Sequence, residues 1–282
     1  MQINVVFGSV SDKHVYEPLC EQLRSIEGLS VHQEVCSAHR EPEQLRSFIK
    51  EHPCDLVIAG AGLAAHLPGV IASQTSTPVI GIPVSGVLQG LDALLSVLQM
   101  PKGMPVLTSG IESVSTVVRF VNWYQKHQAH PPVLYVVASP EAGELVRKFR
   151  EPLEAINWRF VNHPCEAENL TGLDYQPAVL EVWLVNLGDK NEQREFVERF
   201  AQSGDAAHEN TCAAIAVPVV LQKEYSGDLR LFSELTGAGA LWVGVNNITN
   251  VHLSVLKLWP CSVAERVLLW DLKRGSKTGV VA

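Results

Sequence analysis

The amino-acid sequence predicts an α/β protein, a parallel β-sheet flanked by helices and present in two tandem copies. Three observations carry this. Apolar runs of about five residues alternate with amphipathic stretches, the pattern of βαβ units. That alternation stops at a polar segment ending in Pro-Pro and then restarts. Residues on the two sides of the break also match at one constant offset.

Ile3–Phe7 reads as a buried strand, followed by Gly8-Ser9-Val10-Ser11-Asp12 and then helical spacing at Val15, Leu19, Leu23 and Ile26. Leu29–Val35 is expected as a second strand and Pro42–Glu51 as a helix. Leu56–Ala59 and Val79–Pro83 are further short strands, Leu91–Leu98 has helical spacing, and Met104–Thr108 closes the series as a strand. The polar stretch Tyr124–Pro132 reads as a linker, giving domains at 1–124 and 132–282 joined through 125–131. Beyond it, Val133–Ala138 is an apolar strand and Ser139–Ile156 a helix. At an offset of 130, Val6 meets Val136, Ser9 meets Ser139, Leu23 meets Leu153, Ile26 meets Ile156 and Val31 meets Val161. Ile80–Val84 (IGIPV) has a counterpart in Ile215–Val219 (IAVPV). The period is domain-sized, so a solenoid is not implied; the alternative is two unrelated α/β domains.

Composition agrees with this organisation. The chain has 282 residues, 46% hydrophobic and 18% charged, enough for about two domains with a core that needs no disulfides. A disordered protein, a collagen-like fibre and a coiled coil are excluded. Net charge is −8 and the sequence pI about 5.7. The most basic segment, Arg266–Lys277, reads as a solvated helix face, so nucleic acid is not an expected partner. The opening MQINVVFG lacks a signal-peptide pattern, and no apolar run reaches the roughly 18 residues of a membrane span. Six scattered cysteines without CxxC spacing fit reduced thiols. A cytoplasmic protein without membrane contact is expected.

Four loops that follow strands carry the candidate chemistry. Gly8–Asp12 (GSVSD) reads as an anion-favouring turn at a helix N-terminus, with hydroxyls from Ser9 and Ser11 and a sugar-hydroxyl acceptor in Asp12; it reads equally as an ordinary Ser or Asp N-cap. Ser37-Ala38-His39-Arg40 ends the second strand, the edge where open α/β sheets bind ligands. Arg40 suits a phosphate, His39 titrates near neutrality, and the alternative is a surface pair. Gly60–Gly69 (GAGLAAHLPG) is a small-residue run that lets a ligand approach the backbone; otherwise it is a tight turn with a satisfied His66. Pro83-Val84-Ser85-Gly86 is a fourth loop on that edge. His127 and His130 have HxxH spacing without further ligands, and Cys36 reads as packed. With no Walker lysine and no GxGxxG, neither nucleoside triphosphate nor dinucleotide chemistry is signalled.

Together GSVSD, SAHR, AGAGLAAHLPG, PVIGIPVSG and GLDALLSVLQMPKGMPV resemble, over residues 1 to about 120, the catalytic subunit family of phosphoribosylaminoimidazole carboxylase (PurE). AAHLPG and LLSVLQMP resemble its 5-(carboxyamino)imidazole ribonucleotide mutase branch; the animal-type branch carries an AGRSN-like run instead. The resemblance implies a flavodoxin-like, doubly wound parallel sheet and an octameric family, so that about four fused chains would form a homo-oligomer of eight domains. It implies an isomerase of purine biosynthesis that moves a carboxylate from the exocyclic nitrogen to the ring carbon of aminoimidazole ribonucleotide, with neither metal nor organic cofactor. His39 would shuttle the proton. Gly8, Ser9, Ser11, Asp12, Ser37, Arg40, Gly62, Ala65, His66 and Leu67 would line the ribonucleotide site, the loop with Ala65 and His66 closing over the CO2 unit.

Two departures stand out. Leu63 occupies a position that is usually glycine in the family, and Gly110–Thr116 (GIESVST) replaces a run like AINNATNAALLA. The second half holds that run as Val245–Asn250 (VNNITN), and Ala264–Arg274 resembles the family's C-terminal helix. Yet the second half has SPEAG in place of GSVSD and HPCEAENL in place of SAHREPEQL, with His163 one place out of register and no AAHLPG. It reads as a degenerate copy that kept the scaffold. Alternatives are direct carboxylation of aminoimidazole ribonucleotide by CO2, which would make the enzyme a lyase, and a non-catalytic ribonucleotide-binding regulator. A flavodoxin-like FMN binder is a broader one, against which SAHR argues.

Overall fold

Strand–helix alternation runs through the whole computed structural model, which describes residues 1–63, 65–86, 88–162, 166, 177–201, 212–221 and 229–259. His163, the rest of the HPCEAENL run apart from Glu166, and the expected helix at Ala264–Arg274 lie outside the described residues. In the first half the strands are β1 (Gln2–Phe7), β2 (Ser30–Val35), β3 (Leu56–Ala61), β4 (Val79–Pro83) and β5 (Leu107–Thr108). Helices α1 (Lys13–Arg24), α2 (Pro42–Glu51), α3 (Leu67–Gln74), α4 (Leu91–Leu98) and α5 (Val114–His127) follow them in turn. Every residue of β3 and β4 is buried. A parallel strand covered on both faces has no polar side to show, hence its unbroken apolar run.

The second half runs β6 (Val133–Ala138), α6 (Gly143–Glu154), β7 (Phe160–Val161), β8 (Val179–Asn186), α7 (Lys190–Ala201), β9 (Cys212–Val219), α8 (Leu229–Thr236), β10 (Leu241–Trp242) and α9 (Ile248–Leu258). Several bounds differ from expectation: β1 starts at Gln2, β2 at Ser30, and β3 runs on to Ala61. β5 is shorter than Met104–Thr108, because Pro105 has no N–H to give a ladder. The expected 139–156 helix opens instead with a 3-10 turn at Pro140–Ala142. α5 runs on to His127, into the stretch read as linker. Val117, Phe120, Val121 and Tyr124 lie on one buried face of it, and Trp123 and Tyr124 pack edge-on against Trp259.

The ten strands among the described residues form one sheet, ordered β2-β1-β3-β4-β5-β10-β9-β8-β6-β7. Numbered within its own half, each set reads 2-1-3-4-5, the flavodoxin-like order. Every pairing is parallel except β5 with β10, which is antiparallel. The carboxyl ends of the two sets of strands therefore face opposite edges of the sheet. Helices α1, α5, α6 and α9 cover one face in a single core that spans both halves. α2, α3 and α4 cover the other face in the first half, and α4, α7 and α8 pack against it around Trp183 and Trp242.

Facing directions correct part of the offset. Val6 packs into the α2–α3 face, whereas Val136, its match at 130, packs against the opposite core. The strands instead superpose at 131, Phe7 with Ala138, because β1 ends two residues before Ser9 and β6 ends directly before Ser139. The second half thus lacks a residue equivalent to Gly8; the offset of 130 resumes at Ser9 but fails again at β2, where Val31 corresponds by pairing and facing to Phe160, not Val161.

Candidate active site

Order 2-1-3 places the switch point of the first half between β1 and β3, where such sheets take their ligands. Gly8 leaves β1 at that point and donates its N–H to Gly60 O at 3.0 Å. A side-chain carbon at position 8 would stand 3.6 Å from Ala61 Cβ and 3.9 Å from Leu67 Cδ2, so glycine keeps the approach between the first turn and α3 open. Ser9 does cap the 3-10 turn Val10–Asp12: its Oγ accepts from Ser11 N–H at 3.2 Å. The Ser11 hydroxyl lies 2.8 Å from Ser9 Oγ and 3.0 Å from Asp12 Oδ1. Asp12 is only 6% exposed. Burial pushes its carboxyl pKa above the usual range, with the Ser11 hydrogen bond pulling the other way. A carboxylate stripped of water in this manner gains from any hydroxyl donor that a ligand brings.

SAHR forms a turn beyond β2. Glu41 N–H donates to Ser37 O at 2.8 Å, the Glu41 carboxylate accepts from Ser37 N–H at 3.1 Å, and Ser37 Oγ accepts from Arg40 N–H at 3.4 Å. That leaves the His39 and Arg40 side chains exposed on the tip. Cys36, just before the turn, is buried and donates to Glu41 O at 3.3 Å, and burial raises its thiol pKa; it packs, as expected.

β3 runs into Gly62 and Leu63. A carbon on Gly62 would meet Val84 O at 3.4 Å, so glycine lets these two loops lie close together. Leu63 adopts a left-handed φ of 36° and is 68% exposed, a conformation that costs a non-glycine residue about 1–2 kcal/mol. Ala65 and Leu67 are buried, and His66 is the exposed N-cap of α3, accepting Val70 N–H at its carbonyl. His66 Nδ1 lies 3.3 Å from His39 Nε2, with the rings edge to face at 5.2 Å between centroids. One nitrogen must carry the proton and the other accept it, so the pair can hold or pass a single proton.

The structure thus gathers Gly8, Gly62, Ala65, His66 and Leu67 around β3, and brings His39 onto His66. Among the described residues no hydrogen bond joins the Ser9–Asp12 turn to that histidine pair. Sequence reasoning missed Glu112 and His14. Glu112 sits in the turn after β5 at φ 52°. Its Oε1 accepts from Ser85 N–H at 2.8 Å and pairs with His14 Nε2 at 3.2 Å, which raises the His14 pKa. It ties the Pro83–Gly86 loop to the start of α1. The only signal was a charged residue in GIESVST, noted as a departure and not as part of the site. Among the described residues, no group of three or more His, Cys, Asp or Glu side chains is gathered as metal ligands would be. His127 of the HxxH pair hydrogen-bonds Trp123 O at 2.8 Å.

Comparison with known proteins converges on this half. The model of the AIR carboxylase family matches residues 2–118. An N5-carboxyaminoimidazole ribonucleotide mutase of Methanocaldococcus jannaschii is 49% identical over 110 residues, 39% of this chain and 69% of that one. The protein of the same name from Pyrococcus abyssi is 37% identical over 157 residues, 54% of this chain and 84% of that one. Its Escherichia coli namesake is 45% identical over 114 residues, 39% and 67% of the respective chains. Identity at this level over most of each relative's length, joined to the strand order and the two loop histidines, makes the chain a member of the AIR carboxylase family.

Proposed function

We propose that the chain is an N5-carboxyaminoimidazole ribonucleotide mutase of purine biosynthesis, an isomerase, with its working site in residues 1–124. What supports the reading is the placement of His39 against His66 at the carboxyl edge of the sheet, together with the names of the relatives. The substrate is a small ribonucleotide. In the reaction the N–CO2 bond breaks, the exocyclic nitrogen takes up a proton, the ring carbon bonds the CO2 and the ring carbon's proton departs. His39 is the general acid and base that carries the proton between nitrogen and carbon, with His66 beside it at 3.3 Å. Ser9, Ser11, Asp12 and Arg40 hold the ribonucleotide, Asp12 accepting from a ribose hydroxyl. The loop from Gly62 to Leu67 covers the transferring unit and keeps water from CO2.

In the same reading residues 132–282 are a degenerate copy without a working site, and about four chains assemble in the cytoplasm as a homo-oligomer. The test offers the carboxyamino ribonucleotide and, separately, aminoimidazole ribonucleotide with CO2. Turnover of the first alone identifies the mutase, and turnover of the second alone overturns it in favour of the carboxylase. His39→Asn is expected to lower turnover by about 10²–10⁴-fold, the usual worth of a general acid–base group. Unchanged turnover in that variant would remove His39 from the mechanism.

A further inference from the structure

α9 belongs to the second half, and its His252 bonds Phe149 O there, yet its cap Asn247 and its Asn250 and Lys257 side chains reach into the first half. It is buried from Asn250 to its end, unlike an ordinary surface helix. Asn250 Oδ1 accepts from Gly103 N–H at 2.9 Å, and its Nδ2 donates to Pro101 O at 3.1 Å and Met104 O at 3.4 Å. Asn247 Nδ2 donates to Met100 O at 3.2 Å, while its Oδ1 caps the helix by accepting from Asn250 N–H. Lys257, only 5% exposed, reaches Thr75 O at 3.4 Å and Thr77 O at 3.5 Å. Three side chains from one helix thus hold the connection after α3 and the connection between α4 and β5.

The second of these connections leads to the site. Met100 lies so close to α3 that a carbon on Gly69 would stand 2.9 Å from Met100 Cε and 3.0 Å from its sulfur. Gly69 is in the first turn of α3, two residues after Leu67 and three after the cap His66. A shift of the Met100–Met104 connection therefore presses on the turn that carries His66 toward His39. The mirror contact, Arg119 of α5 donating to Gly239 O at 2.7 Å, joins the halves without touching α3.

We propose that Asn247 and Asn250 are positioning residues for the first-half site, acting on His66 through the Met100–Met104 connection and α3. The second half then has a role in the reaction proposed above, on which this inference rests for its kinetic consequence, although it holds none of the reacting groups.

The test compares Asn250→Ala, Asn247→Asp and Arg119→Ala in the full chain. Asn247→Asp keeps the capping oxygen and puts an acceptor oxygen where Nδ2 donates to Met100 O, so it breaks that bond at a second position should Asn250→Ala fail to fold. Hydrogen exchange of the α3 amides from Val70 to Gln74 is read first, since it does not depend on activity. Exchange there is expected to quicken about ten-fold or more in the asparagine variants and to stay unchanged in Arg119→Ala. In turnover, kcat is expected to fall up to about 10²-fold with KM nearly constant, as for a displaced catalytic group, and Arg119→Ala should keep wild-type kcat. Unchanged α3 exchange in Asn247→Asp, or an equal rise in Arg119→Ala, overturns the inference even where the wild type is an active mutase. A wild type without mutase activity but with the expected exchange pattern refutes the function and leaves the positioning role standing.

Discussion

The two halves share a strand order and differ at the edge where chemistry belongs. In the first, β3 ends Ala59-Gly60-Ala61 and runs into Gly62; the equivalent stretch of β8, set by register and facing, is Trp183-Leu184-Val185-Asn186. Phe7 pairs with Gly60 on β3, whereas Ala138 pairs with Leu184 on β8. Volume has been exchanged between neighbouring strands, so both cores are filled while only one end is kept lean. The buried Asp12 has Ala142 as its counterpart, and Gly8 has none. The same strand order can thus be packed with volume on either of two neighbouring strands.

The volume exchange offers the largest effect by which to break this comparison. A carbon on Gly60 would lie 2.1 Å from the Phe7 ring. Gly60→Leu alone is expected to cost about 3 kcal/mol or more, at the upper end for overpacking a core. Phe7→Ala in the same chain should return most of it, and denaturant unfolding of the two single variants and the double measures the coupling. Additive losses would mean that the paired positions are not equivalent in the two halves.

Asp12→Ala, which copies Ala142, should leave the fold intact and weaken ribonucleotide binding about 10- to 100-fold, the loss of a hydrogen bond to a charged group. Its effect on stability has a definite sign. Burial raises the folded-state pKa of Asp12 above its ordinary value of 3.8, so the folded protein binds this proton more tightly than the unfolded chain. Stability should fall as pH rises from that ordinary value through the raised one, then level off. The variant lacks this slope, so its unfolding midpoint should gain on wild type across that window; equal slopes would place Asp12 in solvent.

Much of this was legible in the sequence. Buried parallel strands announce themselves as apolar runs, so Val79–Pro83 and Val133–Ala138 have the expected bounds, as do the helices Pro42–Glu51 and Leu91–Leu98. Loops that follow strands in an open sheet converge by topology, which is why SAHR and AAHLPG could be assigned to one site before their histidines were seen at 3.3 Å. Facing was less legible: a one-residue difference at a turn inverts a strand, and an apolar match such as Val6 with Val136 carries no mark of its side. Glu112 escaped because its role is to bond a backbone N–H and a histidine distant in sequence. The end of α5 was hidden because polar Gln125, Lys126 and His127 share a helix anchored by Trp123 and Tyr124 against Trp259, far along the chain.

The division of labour between the halves is tested most directly by calorimetric titration of the full chain with aminoimidazole ribonucleotide, read for stoichiometry. One ribonucleotide bound per chain, and none in an Arg40→Ala variant, is expected if the first half alone holds the site. Two per chain, or one that survives Arg40→Ala, would contradict it and give the second half a site of its own.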